Sequence, residues 1–165
     1  MWLTYALGGG WGHLTRAASL ARAARRRVRI LSNSPHAPAI RDRVPEAEVR
    51  VLDAGVTAAA ARDAVAAELA EGPSCLIVDT FPRGLGGELA DLLDAVTVPK
   101  VLVHRDLNPR YALRHRGFVS TRYDLVIVPG KGEGGAFGDL PNAVTTAPWL
   151  IRSRAEITQI GRAHV

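Results

Sequence analysis

The chain lacks several features that define common protein classes. Its single cysteine, Cys75, excludes an intrachain disulfide and fits a reducing compartment. No apolar run reaches the roughly 18 residues of a membrane span. No charged leader followed by an apolar segment marks a secretory signal. We therefore expect a cytoplasmic protein, and peripheral contact with the inner face of the membrane is left open.

Lysine is nearly absent, because 19 of the 21 basic residues are arginine, and the net charge is +5. The densest arginine group spans residues 22–29 and has the charge to contact anionic lipid or nucleic acid. It coincides, however, with the predicted end of a helix and start of a strand, where arginine suits the helix dipole and solvent. Aromatic residues are not interleaved with these arginines, unlike in single-strand nucleic-acid platforms. No nucleic-acid partner is predicted.

What the sequence does contain is an alternation of short apolar strands and helical segments. Its 165 residues suffice for one domain with a core. Apolar runs predict strands over 2–7, 28–31, 49–52, 76–78, 100–103 and 125–128. Apolar residues at helical spacing predict helices over 14–24, 56–69 and 85–96. This alternation indicates an α/β fold, a doubly wound, mostly parallel Rossmann-like sheet with helices on both faces.

Two unusual loops are expected to meet in this fold. In the common strand order 3-2-1-4-5-6, the first and fourth strands are neighbours at the switch point, where ligands bind. The loop over 8–13 follows the first strand, and the loop over 79–87 follows the fourth. The sequence therefore predicts a ligand site between these two loops.

The glycine-rich loop Gly8–Gly12 allows a phosphate or a polar sugar to approach the backbone and the next helix. It is not a dinucleotide fingerprint, because His13 stands where the third glycine belongs. The second strand ends in Ser32 and Asn33, without the acidic residue that would hold a ribose. A P-loop is excluded too, since no Gly-Lys-Ser/Thr follows. No cofactor is predicted.

His13 and Asp79 are the candidate catalytic residues. A neutral imidazole at the switch point can act as a general base on a substrate hydroxyl near pH 7. Asp79, at the end of the neighbouring strand, can orient that imidazole. The alternatives are capping or packing for His13, and an N-cap of the next helix for Asp79.

Three stretches carry a family resemblance: 8–17 with its Gly-His pair, 78–84, and 147–152. They resemble the N-terminal half of GT-B glycosyltransferases, nearest to the branch that contains the lipid II-forming N-acetylglucosaminyltransferase and related bacterial enzymes. The resemblance implies a two-domain enzyme, with the acceptor in the N-terminal domain and the nucleotide sugar in the C-terminal domain. It implies transfer in the cleft between them, without an obligatory metal. The acceptor would be a glycan, a lipid-linked sugar or a small molecule.

The resemblance also implies roles for individual residues. His13 matches the Gly-His histidine, which acts as base in some branches and contacts substrate in others, and Asp79 lies near an aspartate partner. Substrate contacts are expected from the two loops, at Gly9, Gly10, Trp11, Gly12, Pro82 and Arg83. His104 and Arg105, at the end of the fifth strand, either line the cleft or form a solvated strand end. A kinase catalytic loop there is rejected, because Tyr111 replaces the required asparagine.

The domain is expected to span residues 1–155, with a non-native or disordered tail over 156–165. The last six residues, 160–165, back-translate in frame to a common sequencing-adapter sequence, so the natural chain is expected to continue. Without the donor-binding domain, the fragment is expected to be inactive. Two alternatives stay open, a non-catalytic docking subunit of a split glycosyltransferase and half of a sugar-nucleotide epimerase.

Overall fold

The strands form a single parallel sheet in the order β3-β2-β1-β4-β5-β6-β7. The computed structural model describes residues 1–41, 43–105, 107–130 and 135–149. The predicted tail and residues 150–155 lie outside the described residues. The strands are β1 (Trp2–Tyr5), β2 (Val28–Ser32), β3 (Ala47–Val51), β4 (Leu76–Asp79), β5 (Lys100–Val103), β6 (Leu125–Pro129) and β7 (Ala143–Thr146). The doubly wound α/β fold and the order of its first six strands are confirmed.

The strands alternate with helices α1 (Trp11–Ala24), α2 (Pro38–Arg41), α3 (Ala58–Ala70), α4 (Leu92–Ala95) and α5 (Pro109–Arg122). A 3₁₀ turn, Gly135–Phe137, precedes β7. None of the helices in the described ranges combines the length and apolar character needed to cross a bilayer.

Helix α1 confirms the face predicted from its apolar spacing. Leu14, Ala17, Ala18 and Ala21 are buried against β2 and the α2 segment. The helix ends at Ala24, and the next residue, Arg25, takes the left-handed conformation with φ 49°. The arginine-rich stretch thus lies where a helix ends and a strand begins, as expected.

The helix predicted over 85–96 is wrong for most of its length, because only Leu92–Ala95 is helical. Gly84 and Gly87 adopt positive φ values of 84° and 90°, which interrupt a right-handed helix. The buried carboxylate of Glu88 organises the loop instead. It accepts hydrogen bonds from the backbone N–H groups of Leu85 at 3.2 Å and Gly86 at 2.7 Å. Of the leucines that carried the apolar spacing, Leu89 reaches the core from the loop and Leu93 from the short helix, whereas Leu85 is exposed.

Neither α5 nor β7 was predicted from the sequence. Helix α5 has Pro109 in its first turn, and the Asn108 side chain caps it by accepting from the N–H of Arg110 at 2.9 Å. It buries only Ala112 and Val119 completely, so its apolar periodicity is faint. Strand β7 lies at the sheet edge beside β6 with no fully buried residue, which explains why no apolar run marked it.

Candidate functional site

The switch point brings two functional groups together from distant parts of the sequence. β1 and β4 pair in parallel, so both carboxyl ends open at the same edge of the sheet. Asp79 is the last residue of β4, and His13 lies in the first turn of α1. The helix returns across the sheet edge because Gly8–Gly10 make a tight connection after β1.

The imidazole Nδ1 of His13 lies 2.6 Å from Oδ2 of Asp79. The Asp79 side chain is 2% exposed and that of His13 is 16% exposed. A carboxylate only accepts hydrogen bonds, so in the neutral imidazole this contact assigns the proton to Nδ1. Nε2 then carries the free lone pair. The arrangement can therefore accept a proton at Nε2 while Asp79 holds the ring.

Arg16 completes the cluster, and sequence reasoning assigned it no role. Its Nε donates to Oδ1 of Asp79 at 2.8 Å, and a terminal guanidinium nitrogen donates to Oδ2 at 2.8 Å. This bidentate pair compensates the buried carboxylate charge. Arg16 follows His13 by three positions, a spacing that places both side chains on neighbouring parts of the helix surface. This spacing of three residues, together with a neighbouring strand predicted to end in Asp79, is the sequence signal that could have identified Arg16.

Thr80 bends the chain immediately after the carboxylate. It has φ 68°, a conformation that is costly for a β-branched residue. Its hydroxyl donates to Oδ2 of Asp79 at 3.1 Å and accepts from Arg16 at 2.9 Å. The bend sets the Phe81 ring on the His13 imidazole, with centroids 5.6 Å apart. The backbone bend at Thr80 and the Phe81 stacking contact thus help to orient the His13 imidazole.

The glycine loop packs against the same imidazole. A Cβ atom at Gly8 would overlap Cδ2 and Nε2 of His13, and Gly8 has φ 153°. The side-chain oxygen of Asn33 accepts from the N–H groups of Gly8 and Gly9, each at 2.9 Å. Asn33 stands where a dinucleotide-binding protein would carry its acidic residue. Here it anchors the loop that positions His13, a role that sequence reasoning did not assign.

Of the other residues predicted around the first loop, Gly9 and Gly10 lie in the loop, and Trp11 and Gly12 begin α1. A Cβ atom at Gly9 or Gly10 would meet nothing within 4 Å, so both face open space. Gly12 packs near Arg16. Trp11 is 44% exposed and stacks on His36, with centroids 4.3 Å apart and planes 9° apart.

Pro82 and Arg83 share the Asp79 loop but contact a different part of the protein. The Pro82 carbonyl accepts a hydrogen bond from the buried Tyr123 hydroxyl at 2.5 Å. The Arg83 guanidinium lies 5.7 Å from the centre of the Phe118 ring on α5. Both residues therefore follow the carboxyl end of β4, but the contacts they make are with α5 and the residue after it. Substrate contact by them stays a prediction.

His104 and Arg105 follow β5 and differ in environment. His104 is 3% exposed, and its ring packs on Phe137 with centroids 4.6 Å apart. Arg105 is exposed. The predicted lining of the cleft by these two residues stays a prediction.

Within the described residues, no group of three or more histidine, cysteine or acidic side chains is arranged to hold a metal ion. The chain has no significant match to a protein-family model, a curated protein or a solved structure. The fold and the His13–Asp79–Arg16 cluster therefore carry the functional argument together with the motif resemblance.

Proposed function

We propose that the chain is the acceptor-binding domain of an inverting glycosyltransferase that uses a nucleotide-sugar donor. The observation that carries the proposal is the 2.6 Å contact between His13 and Asp79 at the switch point. A histidine oriented by a buried carboxylate through one ring nitrogen, which leaves the other as the proton acceptor, is the arrangement that general-base catalysis requires. The Gly-His motif resemblance supplies the reaction class.

In the proposed reaction, Nε2 of His13 takes the proton of an acceptor hydroxyl while the hydroxyl oxygen attacks the anomeric carbon. The bond from that carbon to the nucleoside diphosphate breaks, and the leaving group keeps the electron pair. Attack from the opposite face inverts the anomeric configuration. Asp79 stabilises the imidazolium that forms, and Arg16 keeps the carboxylate in place.

Donor recognition belongs to a second domain in this proposal. The resemblance assigns the nucleotide sugar to a C-terminal domain, and the acceptor to the side that carries His13. The acceptor is a glycan, a lipid-linked sugar or a small molecule with a free hydroxyl. The chain alone is then an acceptor-binding unit that needs its donor-binding counterpart for turnover.

The test measures acceptor-dependent release of nucleoside diphosphate by the chain together with a donor-binding domain, in one polypeptide or as two subunits. His13→Ala is expected to lower kcat by about 10²–10⁴-fold. Asp79→Asn is expected to lower kcat as well, because the amide cannot stabilise the imidazolium. His115→Gln, on α5 where the imidazole packs on Tyr111, lies outside the His13–Asp79–Arg16 cluster and is the histidine control that should leave turnover unchanged.

The same assay separates the alternatives. Unchanged turnover of His13→Ala would remove the assigned base. Isomerisation of the donor without an acceptor would identify an epimerase. If the donor-binding subunit turns over only when this chain is present, and the His13→Ala variant supports turnover equally well, this chain is a docking subunit.

A further inference from the structure

Trp11 is exposed at the rim of the candidate site, and no catalytic step uses it. Among the large hydrophobic side chains that are exposed in the described residues, it is the only aromatic one. A single exposed apolar residue is ordinary on a protein surface. Trp11, however, lies beside the carboxyl ends of the strands, where doubly wound sheets bind their ligands, and this position suits it to ligand contact.

The indole is held rigidly from one side. Trp11 is the first residue of α1, and His36 lies in the turn after β2. The two rings are almost parallel, 9° apart, with centroids separated by 4.3 Å. The backbone N–H of His36 donates to the Ser34 hydroxyl at 3.3 Å, which fixes the turn that carries the imidazole. Two chain segments thus meet to hold one flat aromatic surface.

The surroundings of this surface suit a ligand with an apolar face and a polar rim. The space beside Gly9 and Gly10 is open. Gly10 is the N-cap of α1 and has no side chain to accept hydrogen bonds from the N–H groups of the first helical turn, which begins at Trp11. A pyranose offers a face of C–H groups that matches the negative face of an aromatic ring, and a rim of hydroxyls that accept hydrogen bonds.

The direction of Trp11 limits which sugar ring it contacts. Residues two positions apart on a helix do not face each other, and His13 turns toward β4 while Trp11 turns toward the loop after β2. These different partners favour one ring on the indole and another ring with its hydroxyl at Nε2 of His13. The ring on Trp11 is therefore a different ring from the reacting one.

We propose that Trp11, backed by His36, forms a subsite for the apolar face of a sugar ring that adjoins the reacting sugar of the acceptor. The inference rests on the proposed function for the class of ligand, and it adds that the acceptor contains at least two rings. It assigns His36 a positioning role and Trp11 the direct contact.

The test uses a variant whose only tryptophan is Trp11, made by Trp2→Phe and Trp149→Phe. Lactose, cellobiose and chitobiose are titrated against it, with their methyl monosaccharides as single-ring probes, and binding is followed by indole fluorescence and ligand-observed NMR. At least one disaccharide is expected to bind about five- to tenfold more tightly than its monosaccharides. In the otherwise wild-type chain, Trp11→Ala should remove this advantage, and Trp11→Phe should keep part of it.

His36→Ala separates a ligand platform from a purely structural stack. It should weaken disaccharide binding severalfold, and His36→Phe should restore it. Equal binding by the wild type and Trp11→Ala, no disaccharide binding at all, or tighter binding of uridine than of any sugar would overturn the proposal.

Failure of this inference is distinguishable from failure of the proposed function. Disaccharide binding and turnover report on the two inferences separately, because the Trp11 ring stacks on His36 while the His13 ring contacts Asp79. If Trp11→Ala loses binding while His13→Ala retains turnover, the subsite stands and the base does not. If His13→Ala loses turnover while Trp11→Ala binds disaccharides normally, the base stands and the subsite is overturned.

Discussion

The imidazole of His13 is packed against Gly8 so closely that a Cβ atom at position 8 would overlap its Cδ2 and Nε2 atoms. The Gly8 backbone therefore helps to hold the candidate base in position. Asn33 fixes the glycine loop by accepting hydrogen bonds from the N–H groups of Gly8 and Gly9. Phe81 contributes a stacking contact and Asp79 a hydrogen bond to the same ring.

Replacing Gly8 by alanine is expected to displace the imidazole from Asp79. The new methyl group occupies the place of the ring, and φ 153° disfavours any side chain there. We expect a stability loss of about 1–3 kcal/mol, measured by chemical denaturation. Nitrogen NMR should show the His13 Nδ1 signal leaving its hydrogen-bonded position. Gly10→Ala, at a negative φ in open space, should leave that signal in place, and a similar shift in both variants would contradict the proposed packing.

Removing the charge of Arg16 is expected to leave an uncompensated buried carboxylate at Asp79. Arg16→Met keeps most of the side-chain volume, and we expect it to destabilise the fold by about 3–5 kcal/mol. Arg62→Met, at an exposed position of α3, is the control and should change stability by less than about 0.5 kcal/mol. The double variant Arg16→Met/Asp79→Asn should recover part of the loss. Equal effects of the Arg16 and Arg62 substitutions in thermal unfolding would rule out the assigned role.

Glu68 is expected to stabilise the fold in a pH-dependent way. Its side chain is 1% exposed and pairs with Arg29 and Arg50. Burial alone would raise the pKa of this carboxyl group, but the two guanidinium groups outweigh burial and hold the pKa below its ordinary value of 4.5. The stabilisation is therefore present above pH 4.5 and is lost as the pH falls through the lower, folded-state pKa.

We expect Glu68→Gln to lower the free energy of unfolding by about 1–3 kcal/mol near neutral pH. The difference from wild type should shrink as the pH falls below 4.5 in urea titrations. Glu71→Gln, at an exposed position after α3, is the control with no such pH dependence. A difference for Glu68→Gln that is constant with pH would show that its ion pairs contribute nothing.

Cys75 is expected to resist modification by thiol reagents in the folded protein. Burial raises the pKa of its thiol to about 11, and the side chain packs with Leu20 and Ile77. Thiolate is the reactive form, so a disulfide reagent should react at least about 100-fold faster after unfolding in urea than before. Comparable rates before and after unfolding would show that the thiol is accessible in the native fold.

Helices and strands were predictable where burial is periodic or continuous. The buried face of α1 and the apolar runs of β1, β2, β4, β5 and β6 identified those elements. The segment 85–96 shows the limit of that signal, because Leu89 reaches the core from a loop built around Glu88 and only Leu92–Ala95 is helical. Helix α5 and strand β7 were missed because they bury too little to leave a pattern.

The sequence by itself determined the layered α/β architecture and the two loops at the switch point. Alternation between apolar and polar positions is local, and parallel strands with right-handed connections leave few possible arrangements. Only the tertiary structure decided that Arg16 shares Asp79 with His13, that Asn33 anchors the glycine loop, and that His36 backs Trp11. Contacts between segments as far apart as 66 positions depend on the rotation of α1 and the bend at Thr80, and no local pattern encodes either.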